Sequence, residues 1–338
     1  MADGQEPDAS PDAAAAETPA TGTGGGILVV VVNHDGGELT LRCLRSALSA
    51  VPPPGGLRVT LVDNASHDGV AERVRRQLPA VEVIESATNR GFAGGCNLGI
   101  ARRRAGEHVA LLNNDAVADP GWLEPLAAAL DRDARVGAAC PKILLERDPP
   151  VIDNAGTELT GGNRGVDRGH GHPDDGAFDV PGDAFAWCGA AVLLRAAYLD
   201  DIGGFDERLF LYSEDLDMSW RGRLAGWRYR YEPASVVHHA HAATTARRPE
   251  ILRYYTLRNH LVVAARYAAP SAVVRAVFRS LGALALHAAT DWRTASGRAG
   301  LRTRVRAFGG FGRMVPGIVR ERRLRSRGAI SAPGASAS

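Results

Sequence analysis

Residues 27–32 read ILVVVV, an unbroken apolar and mostly β-branched run with glycines before it and Asn33 after it. A strand with no polar alternation must be covered on both faces, which points to a parallel sheet sandwiched between helices. The pattern then repeats. Residues 39–50 have helical spacing, 59–62 form a second apolar strand ending at Asp63, 70–78 a second helix and 81–85 a third strand. A glycine-rich helix follows at 91–101 and a fourth strand at 109–112. This alternation predicts an α/β, doubly wound, mostly parallel sheet whose ligand lies at the carboxyl ends of the strands.

After Leu145 the character changes to Gly, Asp, Asn and Arg through Gly182, which reads as an irregular or strand-rich insertion shaping a pocket. Regular structure resumes as a strand at 186–194, short and longer helices at 198–202 and 216–225, and a strand at 228–237. From Glu250 the chain is helical and increasingly basic. Its stretch from Arg293 to Arg327 carries eleven arginines against one acid, Glu321, so the formal net charge of +2 hides a net-acidic remainder. The composition of residues 1–26 suits a disordered leader without a signal peptide, and 329–338 a disordered tail. The best candidate for a membrane span, 261–286, is interrupted by Arg266, Arg275 and Arg279 and is set aside on that ground. The four cysteines (Cys43, Cys96, Cys140, Cys188) include no CxxC pair and read as small buried residues of a reduced cytosol rather than zinc ligands or disulfides.

Chemistry concentrates where strands end. FLYSEDLDMSWR, 210–221, sets Glu214, Asp215 and Asp217 among aromatic residues; LLNND, 111–115, ends an apolar run in Asn113, Asn114 and Asp115; VVHHAH, 236–241, ends another in His238, His239 and His241. Oxygen and imidazole donors in this arrangement suit one divalent metal plus a carboxylate left free to take a proton. Each group also has a plainer reading. Acids at a helix start interact favourably with its dipole. Asp63 and Asn64 suit a turn and cap as well as a ribose contact. The glycines of NRGFAGGCNLG, 89–99, suit close packing as well as a diphosphate cradle formed by backbone N–H groups and Arg90. No GxGxxG follows the first strand, which counts against a nicotinamide-binding fold.

Taken together, GGFDERLFLYSEDLDMSWR (203–221), GWRYRYEPASVVHH (226–239), LLNND and LVDNASHDG resemble family 2 glycosyltransferases of GT-A fold, and within them the rhamnosyltransferase-like branch, over about residues 27–266. The resemblance implies a domain at 27–250, with a nucleotide-binding half at 27–115 and an acceptor and catalytic half at 116–250. A helical basic C-terminal region at 251–328 follows it. It implies Asn33, Asp63, Asn64, Arg90, Gly91, Asn113 and Asn114 on the donor, and Asp115 with His238 on a divalent metal, Mg2+ or Mn2+. The family's DxD element stands here as Asn113, Asn114, Asp115, without its first acid. Asp215 then takes the position of the general base, with Glu214 and Asp217 orienting acids, Arg221 a partner for one of them at helical spacing from Asp217, and Trp187, Cys188 and Gly189 lining the acceptor site.

The activity so implied is inverting, metal-dependent transfer of a sugar, rhamnose among the possibilities, from a nucleoside-diphosphate donor to a glycan or polyprenyl-linked acceptor in envelope polysaccharide synthesis. A cytoplasmic enzyme with peripheral contact at the inner face of the membrane through its basic tail fits this reading; nucleic acid is not an expected partner, because the basic region lacks interleaved aromatics. Two rivals differ in class. A sugar-nucleotide nucleotidyltransferase would need an early glycine-rich, basic triphosphate loop, which the stretch after residue 32 does not provide. A non-catalytic sugar-nucleotide-binding scaffold would not need Asp115, Asp215 and His238.

Overall fold

The computed structural model describes residues 25–160, 164–240, 249–290 and 292–326. The leader up to residue 24, the tail and His241 therefore lie outside the described residues. The first half follows the expected alternation: β1 (Ile27–Asn33), α1 (Glu38–Leu48), β2 (Leu57–Asp63), α2 (Val70–Gln77), β3 (Val81–Glu85), α3 (Gly91–Ile100) and β4 (His108–Leu112). Next come β5 (Ala116–Ala118), α4 (Leu123–Arg132) and the long β6 (Val136–Leu145). The insertion contributes β7 (Val151–Asn154), β8 (Thr157–Thr160), β9 (Arg164–Asp167) and β10 (Gly182–Ala184); then β11 (Ala191–Leu194), α5 (Ala196–Ile202), α6 (Glu214–Leu224) and β12 (Arg228–His239) complete the sheet region.

The main sheet runs β10-β12-β6-β11-β4-β1-β2-β3, with β5 paired to β12 and β7 to β6. β1, β2, β3 and β4 are mutually parallel, as are β6 and β12, and β11 runs antiparallel between β4 and β6. The carboxyl ends of β1, β2, β4, β6 and β12 thus share one edge, and that edge collects Asn33, Asp63, the segment after Leu112, and His239. One face of the sheet packs Leu41 and Leu44 of α1, Val74 of α2 and Leu126 of α4. The other packs Cys96 of α3, Tyr198 of α5 and Met218 of α6. The β-branched runs are buried on both sides, which is why they carry no polar alternation.

Two expectations change. The strand expected over 186–194 is shortened to Ala191–Leu194, because 187–190 leaves the sheet to form a wall of the site. The stretch 261–286 is set aside as a span, yet Pro270–Thr290, which overlaps it, is by length and composition alone a helix able to cross a membrane, and little of it is buried.

This helix, α8, lies between α7 (Pro249–Tyr267) and the 32-residue α9 (Ala295–Ser326). α7 is tied firmly to the sheet domain. Its buried Arg266 donates to Asp217 Oδ1 at 2.7 Å and to Asp206 Oδ2 at 2.6 Å, and the neighbouring Tyr267 hydroxyl reaches Asp217 Oδ1 at 2.8 Å. Arg322 and Arg325 of α9 donate to the carbonyls of Ala265, Ala268 and Arg266, so part of the basic tail satisfies the unpaired carbonyls at the end of α7.

Candidate active site

Two neighbouring cavities, of about 320 and 360 Å³, open at the carboxyl edge of the sheet. Phe92, Asn113, Leu211, Tyr212 and His239 line both. Asn64, Asn89, Gly91, Asn114 and Asp115 belong to the first alone, and Trp187, Cys188, Gly189, Glu214 and Asp215 to the second alone.

The floor of the first cavity rests on an amide network. Asn33 Nδ2 donates to Asp63 Oδ1 at 3.2 Å and to Ser66 Oγ at 2.9 Å, while Asn33 Oδ1 accepts from Thr40 at 2.7 Å and from Asn114 Nδ2 at 3.0 Å. Asn64 spans the entrance of α3: its Oδ1 accepts the Arg90 N–H at 2.9 Å and its Nδ2 donates to the Gly91 carbonyl at 2.9 Å. Asn33, Asp63 and Asn64 are buried. They hold the turns that shape the cavity, and of the three only Asn64 is on its wall. The Arg90 guanidinium pairs with Glu207 at 2.8 Å, so the residue contributes its backbone at the helix start. Gly91 has φ +69°, and a Cβ there would lie 2.2 Å from the Phe210 carbonyl oxygen. No other residue permits this close approach of the α3 loop to the segment before α6.

Asp115 receives His239 Nε2 at 3.1 Å, and His239 Nδ1 lies 2.7 Å from Asp153 Oδ2. Burial opposes charge on this imidazole, but the hydrogen bonds and charges of Asp115 and Asp153 outweigh it and raise its pKa to about 9. His238, expected on the metal, lies on the opposite side of β12, 40% exposed and 3.4 Å from Asp119. Side chains alternate along a strand, so His239 shares the face of buried Val237 and turns inward while His238 turns away. Asp153 was not anticipated at all; it comes from β7 of the insertion.

The acidic motif enters through a strained approach. Phe210, Tyr212 and Ser213 all have positive φ, at 68°, 67° and 65°. The sharp turns bring Glu214 and Asp215 onto the first turn of α6, whose dipole favours negative charge. Asp215 Oδ2 accepts the Gly189 N–H at 3.0 Å and Oδ1 the Leu216 N–H at 2.7 Å. Burial raises its pKa above the ordinary aspartate range, against the lowering by these backbone hydrogen bonds. Glu214 is 5% exposed, and its Oε2 has no hydrogen-bond partner among the described residues. Its pKa is raised further, by burial first and by the charge of Asp215 second. Asp217 has a different role: it is fully buried between Arg266, Tyr267 and Arg221 Nε, the last at 3.2 Å, the expected helical pair.

Trp187 is buried and edge-on to Phe205 beneath the second cavity. Burial, followed by the charges of Asp167 and Asp215, raises the Cys188 thiol well above its usual range, so it is a protonated wall residue and not a nucleophile. Sequence reading also missed Asn259 of α7, whose Nδ2 lies within hydrogen-bond distance of the Leu209, Leu211 and Tyr212 carbonyls, at 2.9, 2.9 and 2.7 Å. Asn259 stands between Arg258 and His260, just before the apolar LVVAA, so local spacing gave no signal for it.

Comparison with known proteins bears on the family and the fold. The chain is 31% identical over 245 residues, 65% of its own length and 78% of the relative's, to the N-acetylglucosaminyl-diphospho-decaprenol L-rhamnosyltransferase of Mycobacterium tuberculosis. It is 42% identical over 57 residues, 16% of this chain and 22% of the relative, to the rhamnosyltransferase WbbL of Escherichia coli K12. Among solved structures it resembles GalNAc-T7 with UDP, GalNAc and Mn2+, at 16% identity and a TM-score of 0.58 over 82% of this chain and 53% of that one. It also resembles the mannosyltransferase PcManGT of Pyrobaculum calidifontis in complex with GDP-Man and Mn2+, at 18% identity and a TM-score of 0.50 over 86% and 87% of the two chains. This chain thus spans about half the length of the GalNAc-T7 structure, and at these identities the likeness bears on the fold, which is of GT-A type. The family described as glycosyltransferase like family 2 matches residues 24–255, more than half of the chain, and the chain belongs to that family of glycosyltransferases.

Proposed function

We propose that this glycosyltransferase is an inverting enzyme that transfers a hexose, with rhamnose the leading choice, from a nucleoside-diphosphate donor to a hydroxyl of a lipid-linked glycan during envelope polysaccharide assembly. The single observation that carries the mechanism is Asp215: a carboxylate of raised pKa, held by the Gly189 N–H on the wall of a cavity that adjoins the one bearing Asp115. In the step proposed, the acceptor oxygen bonds to the anomeric carbon of the donor as the bond from that carbon to the diphosphate oxygen breaks. The acceptor proton passes to Asp215, and the leaving electron pair goes to the nucleoside diphosphate. A carboxylate with raised basicity suits this proton transfer.

The donor set fits a divalent cation in part. Asp115 supplies a carboxylate and His239 an imidazole beside it, and Asn113 Nδ2 lies 3.5 Å from the same imidazole. Such a set leaves coordination positions for diphosphate oxygens and water. His239, protonated when it bridges Asp115 and Asp153, must shed its proton to serve as a ligand. When bound, the cation neutralises charge on the departing diphosphate.

The relative named as acting on a diphospho-decaprenol acceptor supports a lipid-linked substrate and, with it, work at the cytoplasmic face of the membrane. The test is Asp215→Asn. Transfer, followed by release of nucleoside diphosphate and by NMR of the product anomer, is expected to vanish while donor still binds with Mn2+. Near-normal turnover of this variant, or a product retaining the donor's anomeric configuration, removes the mechanism.

A further inference from the structure

A third cavity, of about 750 Å³, lies between α7, α8, α9 and the start of β9. Arg164, Arg253, His260, Arg279 and Arg304 line it, and among the described residues its wall has no carboxylate. This sets it apart from the rest of the surface, where arginines such as Arg58, Arg208 and Arg228 sit on acids. Arg164, Arg253 and Arg279 form no ion pair with any described residue. The concentration of positive charge registers on His260, whose pKa is lowered by burial and then by Arg164 and Arg279. The cavity adjoins the site, since Arg164, Thr256 and His260 line both it and the cavity holding Asp215.

The helix forming its outer wall adds a second property. Ala276, Arg279, Ser280 and Ala283 of α8 face the cavity, while Val274, Phe278 and Leu281, 53%, 68% and 42% exposed, form an apolar stripe on the opposite side. A ligand matched to this region is multiply anionic close to the acceptor hydroxyl and apolar farther out.

We infer that the arginine-lined cavity binds the diphosphate of a prenyl-diphosphate-linked acceptor, whose sugar occupies the cavity of Asp215 and whose chain leaves along α8. The assignment rests on the transferase reading above and adds a subsite to it. Planar guanidinium groups suit bidentate contacts to phosphate oxygens, and several of them around one space suit a diphosphate better than a single charge. The position is chemically apt, because the diphosphate of such an acceptor is attached to the sugar that presents the attacked hydroxyl.

The experiment uses the full chain and an Arg253→Gln/Arg279→Gln variant, with thermal unfolding as the control for folding. Binding of geranyl diphosphate, measured by calorimetry in EDTA to silence metal-dependent donor binding, is expected to weaken about ten-fold or more, as loss of charged hydrogen bonds implies. KM for a prenyl-diphosphate acceptor should rise by a similar factor, while KM for the same sugar as a simple alkyl glycoside stays unchanged. Arg253→Lys/Arg279→Lys should recover part of the loss by restoring the charge. Equal loss on both acceptors, or on neither, overturns the assignment. Competition of phosphatidylglycerol vesicles as effective as that of geranyl diphosphate also overturns it, in favour of a general anionic-headgroup site. Should the wild type bind geranyl diphosphate and transfer no sugar, the transferase reading fails and the anion site stands.

Discussion

Replacing Asn259 by alanine tests whether α7 belongs to the catalytic apparatus. Three non-glycine residues before α6 have positive φ, and each such residue costs on the order of 1–3 kcal/mol unless its surroundings impose it. What α7 contributes to those surroundings is specific: Asn259 Nδ2 beneath three carbonyls, Arg258 Nη2 donating at 2.8 Å to the carbonyls of Arg208 and Leu209, and the Phe210 ring stacked 4.9 Å from Tyr255. One amide nitrogen has two protons, so its three contacts amount to about two full hydrogen bonds. Losing them costs about 2–3 kcal/mol, at roughly 1 kcal/mol per net bond plus the partial desolvation of the half-buried Leu211 and Tyr212 carbonyls, the Leu209 carbonyl keeping the Arg258 guanidinium. That is comparable with the strain of one or two of the positive-φ residues, so the segment relaxes and carries Glu214 and Asp215 with it. Displacement of a general base by about 1 Å lowers kcat on the order of a hundred-fold. Turnover at saturating donor and acceptor is therefore expected to fall by that factor in Asn259→Ala, with nucleoside-diphosphate affinity within about three-fold of wild type, since a change that small is worth well under 1 kcal/mol. Asn259→Asp keeps the shape and removes the donor, so it should lose as much. If Asn259→Ala keeps kcat within a factor of about two, or if Asn259→Asp behaves like wild type, the bonds to the three carbonyls do not position the base.

The two adjacent histidines of β12 should respond in opposite ways. His239→Ala removes the imidazole between the buried carboxylates of Asp115 and Asp153, the second of which keeps His170 Nδ1 at 3.2 Å, and should cost up to about 3–5 kcal/mol in denaturant unfolding as well as metal-linked nucleotide binding. His238→Ala, at a half-exposed pair, should stay within about 0.5 kcal/mol and keep that binding; equal effects would refute the assignment of His239 to the site. The acids of α6 predict a pH dependence. Both Glu214 and Asp215 have folded pKa values raised above the unfolded ones, so their contribution to stability is fully present below about pH 4 and is lost as pH rises through the raised values. Glu214→Gln mimics the neutral acid, so its thermal stability relative to wild type should improve steadily as pH increases; a constant difference from acid to alkaline pH would contradict a buried, protonated Glu214. For the wild type, the acid limb of the kcat/KM profile should lie above the ordinary aspartate range, because Asp215 must be ionised to accept the proton.

The parallel half of the fold was legible because burial on both faces leaves β1, β2 and β4 with near-continuous apolar sequences and a polar residue where each meets solvent. β6 carries the same burial but is built from VGAACPKILL, where Gly137, the alanines and Pro141 dilute the β-branched signal, and it was not anticipated. Within the site, type and order of residues were readable and side-chain direction was not. Two consecutive histidines at the end of β12 offer one inward and one outward imidazole, and with Val236 and Val237 both apolar the pattern before them does not say which is which. Arg90 stands where a phosphate contact was expected, yet its guanidinium is held by Glu207, more than a hundred positions later in the chain and invisible to local spacing. The positive φ values at Phe210, Tyr212 and Ser213 were hidden for a related reason. Bulky residues do not advertise that conformation, and what imposes it comes from a helix that follows the sheet domain.

That helix links the three regions considered above. On one side Arg266 and Tyr267 close on Asp217, the third acid of the motif; in the middle Arg258 and Asn259 hold the carbonyls of the segment before it; and Arg253 and His260 line the arginine-rich cavity beside the acceptor site. The order matters physically. Because the same rigid helix carries the residues that set the position of Asp215 and those that face the inferred diphosphate, an acceptor pulling on Arg253 and His260 acts on the element that holds the base. Uniform binding of this kind lowers KM without accelerating the chemical step, whereas binding energy that tightens the Asn259 contacts raises kcat. The two cases separate in the variants already described. If Arg253→Gln/Arg279→Gln alters KM alone, the cavity only captures the acceptor. If it also lowers kcat on the diphosphate acceptor and not on the alkyl glycoside, α7 transmits acceptor binding to the base.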